Sequence, residues 1–326
     1  MGRIALTGAA SFVGGRLLRR LCEQRDPDEL VVIDITHPPP GLAVRFHQVD
    51  LTDPVSDQRV LDVLRDEEVE TVVHLAFLTN PQRDRSYAHE LESIGTLNLL
   101  AGAAAAGLPR LVMRSFTAVY GARGDNPAFL TEDRPLQANP GLFWVRDKLE
   151  AERHVAAFAR RYQGLCATVL RLSPLLGAGV RTFYTELFDK RLVPVVMGYD
   201  PLIQLLHPSD AVAAFERALE RPVPGAFNVV PRRPIPLVAA LHLAEKVPLP
   251  VPHPMAYLAS EMLWAVGLGY APGGFVDYGR FPFVADGARV KAELGFEARL
   301  SSRESLFDYL RYRHPHAPHE AAEALP

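Results

Sequence analysis

Two cysteines in 326 residues, Cys22 and Cys166, lie far apart and form no C-x-x-C pair, which excludes a disulfide framework and a zinc-ribbon type of site. No metal site is expected. Lysine is also scarce: Lys148, Lys190, Lys246 and Lys291 are the four among 35 basic residues. With a net charge of −3, the chain has no electrostatic case for binding nucleic acid or an anionic membrane. Every apolar run is broken by proline, glycine or charge before the roughly 20 residues that a membrane span needs. The opening Met1-Gly2-Arg3-Ile4 enters an apolar segment at once, with no signal-peptide layout, so a cytoplasmic location is expected.

What is present is a globular composition, 48% hydrophobic and 22% charged, on a chain long enough for one large α/β unit with an appended subdomain. The first half alternates short apolar runs with helical patterns, as βαβ units do. Strands are expected at 3–7, 30–35, 43–48, 71–75, 110–113 and 167–172, and helices at 14–23, 54–67, 86–106 and 145–161. Past Leu175 the alternation loosens. Helices are expected at 181–189, 209–219, 234–247, 255–268, 288–294 and 303–312, with a strand at 226–230. The run Pro248-Leu249-Pro250-Val251-Pro252-His253-Pro254 reads as a stiff linker. The tail 314–326 reads as flexible, and its His314, His316 and His319 as incidental.

The first candidate site follows the first strand. Thr7-Gly8-Ala9-Ala10-Ser11-Phe12-Val13-Gly14-Gly15 joins a strand to a helix, the context in which a glycine loop presents amides to a pyrophosphate. Gly8 permits the tight turn and Gly14 the close strand–helix packing. Asp34 ends the second strand, where a carboxylate meets a ribose 2′-OH and repels a 2′-phosphate. That favours NAD(H) over NADP(H). An Asp capping the next turn is the alternative.

Two further segments frame a catalytic region: Arg114-Ser115-Phe116-Thr117-Ala118-Val119-Tyr120-Gly121 and Trp144-Val145-Arg146-Asp147-Lys148. Together with the glycine loop they resemble extended short-chain dehydrogenases/reductases, the NAD-dependent epimerase/dehydratase family. The resemblance extends by motif order over roughly the first 230 residues. It implies a Rossmann-type doubly wound parallel sheet over 1–175, and a smaller C-terminal α/β substrate subdomain over 176–313 whose chain returns to the core.

The resemblance also implies residue roles. Gly8, Ser11, Phe12, Val13 and Gly14 would hold the cofactor phosphates, with Ser11 replacing the family's middle glycine. Asp34, Ile35, Asp50 and Leu51 would cover the adenosine, and Leu75, Ala76 and Phe77, in a segment like H-L-A-A, would pass its ribose. His74 reads as a packed strand residue. In Ser93-Ile94-Gly95-Thr96-Leu97-Asn98 the family's N-V-x-G-T-x-N is matched except at its first Asn, which is Glu92 here. Ser173, in a segment like L-R-P-x-x-V-Y-G, and Ser115 would border the nicotinamide end.

Lys148 occupies the position of the family lysine. The family's polarising Ser or Thr and its acid/base Tyr correspond to Phe116 and Trp144, which transfer no proton. Thr117 is one position away, although a strand neighbour points to the opposite face. Ser115, Tyr120 and Lys148 itself are further substitutes. The leading reading is an atypical NAD(H)-dependent oxidoreductase acting on a small apolar or aromatic carbonyl-type substrate. A non-catalytic NAD(H)-binding sensor or scaffold is the second reading, and a sugar-nucleotide epimerase or dehydratase the third. Association as a homodimer is left open.

Overall fold

A computed structural model describes residues 2–38 and 40–313. The histidines of the tail lie outside the described residues. In chain order the first half runs β1 (Arg3–Thr7), α1 (Phe12–Gln24), β2 (Leu30–Asp34), β3 (Arg45–Gln48), α2 (Ser56–Asp66), β4 (Val69–His74), α3 (Arg85–His89), α4 (Gly95–Ala106), β5 (Arg110–Phe116), α5 (Phe143–Arg161) and β6 (Cys166–Leu172). The second half runs α6 (Phe183–Asp189), β7 (Leu192–Val196), β8 (Leu202–Ile203), α7 (Pro208–Glu220), β9 (Gly225–Val229), β10 (Ile235–Pro236), α8 (Leu237–Leu243), β11 (Val247–Val251), α9 (His253–Ala265) and α10 (Ser302–Arg313).

Seven strands form one parallel sheet in the order β3-β2-β1-β4-β5-β6-β9. Its central strands are runs of Val, Ile and Leu because helices cover both faces. On one face Leu17, Leu18 and Leu21 of α1 pack with Phe215 and Ala218 of α7. On the other, Val60, Leu64, Leu99, Leu100 and Val155 join α2, α4 and α5 in a second core. The strand order reverses between β1 and β4, which opens a crevice at their carboxyl ends. Strand β9 comes from the second half of the chain and closes the sheet beside β6.

Several elements depart from the sequence expectation. The helix expected over 86–106 is interrupted at Glu90–Ile94 by a wider π turn that carries the buried Glu92 and Ser93. The helix expected over 234–247 shrinks to α8, and the one over 288–294 ends as a π turn, Val290–Leu294.

The proline-rich segment is a strand, not a linker. β11 pairs in parallel with β7, with Pro248 opposite Val193 and Pro250 opposite Val195. The Val247 amide donates to the Arg191 carbonyl, and Met197 donates to the Val251 carbonyl. The alternation therefore turns the missing donors of Pro248 and Pro250 to the outer edge, where a strand tolerates proline.

Candidate active site

Two adjoining spaces open at the carboxyl end of the sheet. The first is a groove bordered by Gly8, Ser11, Asp34, Ile35, Asp50, Leu51, Leu75, Ala76 and Phe77. Gly8 adopts φ +69°, and a Cβ there would stand 2.4 Å from the Leu75 carbonyl carbon. A Cβ on Gly14 would stand 2.1 Å from the Gly8 oxygen, so both glycines are required for β1 and α1 to meet. Ser11 caps α1, its Oγ accepting from the Gly14 amide at 3.1 Å. The amides of Phe12 and Val13, in the first turn, have no intrahelical acceptor. Asp34 accepts from the Ala10 amide at 3.1 Å and from the Thr36 amide at 3.3 Å, which fixes its carboxylate at the groove. Asp50 is turned to Thr52, whose amide and hydroxyl both reach Oδ1. This groove fits an adenosine and its phosphates: first-turn amides, small residues at the loop and a fixed carboxylate.

The second space is a cavity of about 80 Å³ bordered by Phe116, Trp144, Phe183, Tyr184, Phe275, Tyr278 and Phe283, with Arg114, Thr117 and Ser173 among its walls. Phe116 and Trp144 meet as tilted rings at 5.5 Å between centroids, and Trp144 and Phe275 likewise at 5.6 Å. Leu78 ties the groove to a wall residue of the cavity. It borders the groove, its carbonyl accepts from Trp144 Nε1 at 3.0 Å, and its amide donates to Glu92 Oε1 at 2.7 Å.

Behind the rings lies a buried ion pair. Lys148 Nζ sits 2.6 and 2.8 Å from the two oxygens of Glu92. It also lies 4.1 Å from the centroid of Trp144 and 4.9 Å from that of Phe116. Burial lowers the Lys148 ammonium to about 8 against the upward pull of Glu92, and burial raises the Glu92 carboxyl. Burial alone lowers His74 to about 3, so it is a neutral strand residue bonded to Thr7 and Thr96.

Thr117 faces the cavity, against the strand-neighbour expectation. The chain leaves β5 at Phe116 and enters a 3₁₀ turn, Thr117–Tyr120, so strict alternation ends there. Its Oγ1, like the Ser173 Oγ, is buried without a hydrogen-bond partner among the described residues. Ser115 points to the other face of β5 and donates to Glu152, away from the groove. Glu152 also binds Arg171, and Arg171 donates to Tyr120, so Tyr120 is part of a buried structural network.

The sequence reading missed Arg114, Tyr184 and the aromatic wall from 275–283. Arg114 was visible only as a charge inside an apolar strand. Tyr184 and Phe275 reach the cavity by tertiary folding alone. Burial is the sole influence on the Tyr184 phenol and raises it, so the group stays protonated at neutral pH.

Residues 4–229 match the NAD dependent epimerase/dehydratase family. The chain belongs to this family, whose cofactor is NAD(H). An uncharacterized Mycobacterium tuberculosis protein is 30% identical over 321 residues, or 95% of this chain and 84% of the relative. The 3-diazoavenalumate denitrifying reductase of a Streptomyces species is 29% identical over 278 residues, 80% of this chain and 87% of the relative. MoeE5, solved in complex with UDP-glucuronic acid and NAD, superposes with a TM-score of 0.74 at 23% identity, covering 97% of this chain and 100% of MoeE5. The family's oxidoreductase chemistry thus has a named reductase among the relatives of this chain. No helix of the described residues is long and apolar enough to cross a membrane.

Proposed function

We propose that this family member is an NAD(H)-dependent oxidoreductase that moves hydride to or from a flat, largely apolar carbonyl-type substrate without the family's Ser and Tyr. The observation that carries the reading is the aromatic cavity, whose wall residue Trp144 is hydrogen-bonded to Leu78 of the cofactor groove. Phe116 and Trp144 form its inner wall and offer ring faces where the family offers proton-handling groups. A sugar with many hydroxyls would find few partners there, whereas a planar apolar body would stack.

When bound, NAD(H) supplies the hydride chemistry. The chain's own residues supply the rest. The Phe12 and Val13 amides bind phosphate oxygens, and Asp34 accepts from the ribose hydroxyls. Lys148 holds Glu92, and Glu92 holds the Leu78 amide, so the ion pair fixes the seam between groove and cavity. Thr117 Oγ1 donates to the substrate oxygen, and Tyr184 keeps a proton on its phenol at the cavity wall.

A screen of NADH oxidation with carbonyl and quinone compounds tests the reading. Turnover is expected with apolar substrates and not with UDP-glucose or UDP-galactose. Tyr184→Phe or Thr117→Val should lower kcat, with about 10²–10⁴ the full value of general acid help, while NADH affinity stays unchanged. Robust epimerisation of a sugar nucleotide would sink the proposal. The non-catalytic NAD(H) sensor is kept as a second reading because Glu92 neutralises the ammonium of Lys148. NADH binding without turnover on any compound would favour it.

A further inference from the structure

Two buried arginines lie on the adjacent strands β5 and β6, one register step apart and so on opposite faces of the sheet, and only one is satisfied. Arg171 on β6 gives Nε and Nη2 to Glu152 and Nη1 to the Tyr120 hydroxyl. Arg114 on the adjacent strand β5 is 1% exposed, yet its Nε and Nη1 have no partner. Its remaining nitrogen, Nη2, makes only a long contact of 3.4 Å to Thr79 Oγ1. Among the described residues no carboxylate forms an ion pair with Arg114. Glu92, which pulls on it electrostatically, is already held by Lys148 and the Leu78 amide. The fold thus keeps two buried cations, Lys148 and Arg114, near Glu92, with the buried Asp147 acting on Lys148.

A buried cation without a counter-ion is costly, and proteins keep one where a ligand completes it. The guanidinium stacks at 4.5 Å on the Phe116 ring, so its place is set within the cavity wall. Two more buried and unpartnered polar atoms, Thr117 Oγ1 and Ser173 Oγ, belong to the same wall. A planar guanidinium with free donors and a neighbouring hydroxyl suits a carboxylate. We propose that Arg114, with Ser173, binds a carboxylate carried by the substrate, which makes the substrate a flat apolar carbonyl compound that also bears an acid group, with Thr117 left for the reacting oxygen.

This assignment rests on the substrate reading above and narrows its class. A cofactor phosphate is the other source of an anion. Ser11, which caps the helix that carries the phosphate amides, borders the groove, whereas Arg114 borders the aromatic cavity.

The test uses 2-naphthoate and its neutral isostere 2-naphthamide, titrated by calorimetry into the wild type, Arg114→Gln and Arg114→Met without cofactor. NADH is titrated separately into all three. The wild type should bind naphthoate about tenfold or more tighter than naphthamide, the return of a charged hydrogen bond. Both variants should lose that preference and keep wild-type NADH affinity. Apo Arg114→Met should melt no lower than the wild type, because the change removes an unpaired buried charge.

Several results overturn the proposal: no acid preference in the wild type, no binding of either probe, or a preference that survives in the variants. A parallel loss of NADH affinity reassigns the anion to the cofactor, and a clearly lower melting point for Arg114→Met makes the residue structural. Because naphthoate binding is read without turnover, failure of the NADH oxidation screen defeats the oxidoreductase reading alone.

Discussion

Glu92→Gln should expose how tightly the seam of the active site depends on one buried charge. Glutamine keeps an oxygen for the Leu78 amide but leaves the Lys148 ammonium without its anion among the rings of Trp144 and Phe116. Removing one partner of a buried pair costs about 3–5 kcal/mol. The stranded ammonium can escape by releasing its proton, which caps the cost at about 1.4 kcal/mol for each pH unit below the ordinary lysine value of 10.5. That ceiling is about 4 kcal/mol at pH 7.5 and about 1.4 kcal/mol at pH 9.5. The wild-type lysine, already lowered to about 8, bears about 3 and about 1.4 kcal/mol of it. The variant therefore falls about 1 kcal/mol below the wild type at pH 7.5 and about level with it at pH 9.5.

In the wild type Lys148 titrates at about 8, lowered mainly by burial. A lysine lowered on folding opposes stability at low pH, and the opposition fades as pH rises from about 8 towards 10.5. Raising the pH therefore narrows the gap between variant and wild type. Over 326 residues an unfolding entropy of about 2.1 cal/mol/K per residue turns about 1 kcal/mol into a fall of about 1.5 °C in Tm at pH 7.5. Melting curves by circular dichroism at the two pH values measure this. Glu92→Gln/Lys148→Met, which removes both charges, should recover most of the loss. A Glu92→Gln protein that melts with the wild type at pH 7.5, or a gap unchanged at pH 9.5, refutes the reasoning.

Asp34→Ala should weaken NAD(H) and narrow its advantage over NADP(H), because the carboxylate both accepts from the ribose diol and repels a 2′-phosphate. Equal or tighter NADP(H) binding by the wild type counts against that assignment. Phe116→Ser with Trp144→Tyr should gain carbonyl-reducing activity on simple substrates while losing fit for planar ones. If the double variant binds NADH and gains nothing, the site has diverged beyond those two positions and the sensor reading becomes the better one.

Much of the Rossmann half was legible because its signals are local. β1, β4 and β6 are short runs of buried β-branched and apolar residues, and the glycine loop, Asp34 and the Leu75-Ala76-Phe77 segment each read contiguously. The family frame around Phe116 and Trp144 was equally visible, since it depends on spacing along the chain. Thr117 was harder: a β-strand alternates faces, and only the 3₁₀ turn that begins there brings its side chain back to the cavity. The strand at Val247–Val251 was unreadable because proline lacks a donor. Whether that lack matters depends on which edge β7 occupies.

The sequence by itself therefore determined the sheet and the family to which the chain belongs. Tertiary structure decided what surrounds the site. Glu92 and Lys148 are 56 residues apart, and their pairing becomes visible only when the π turn faces α5. Arg114 reads in sequence as one charge in a strand, and its missing partner is a property of three dimensions. The aromatic wall joins residues 116, 144, 183 and 275, drawn from four separate segments. Periodicity and motif report on neighbours along the chain. Burial, charge balance and cavity shape depend on which distant segments exclude water together, and only the folded chain fixes that.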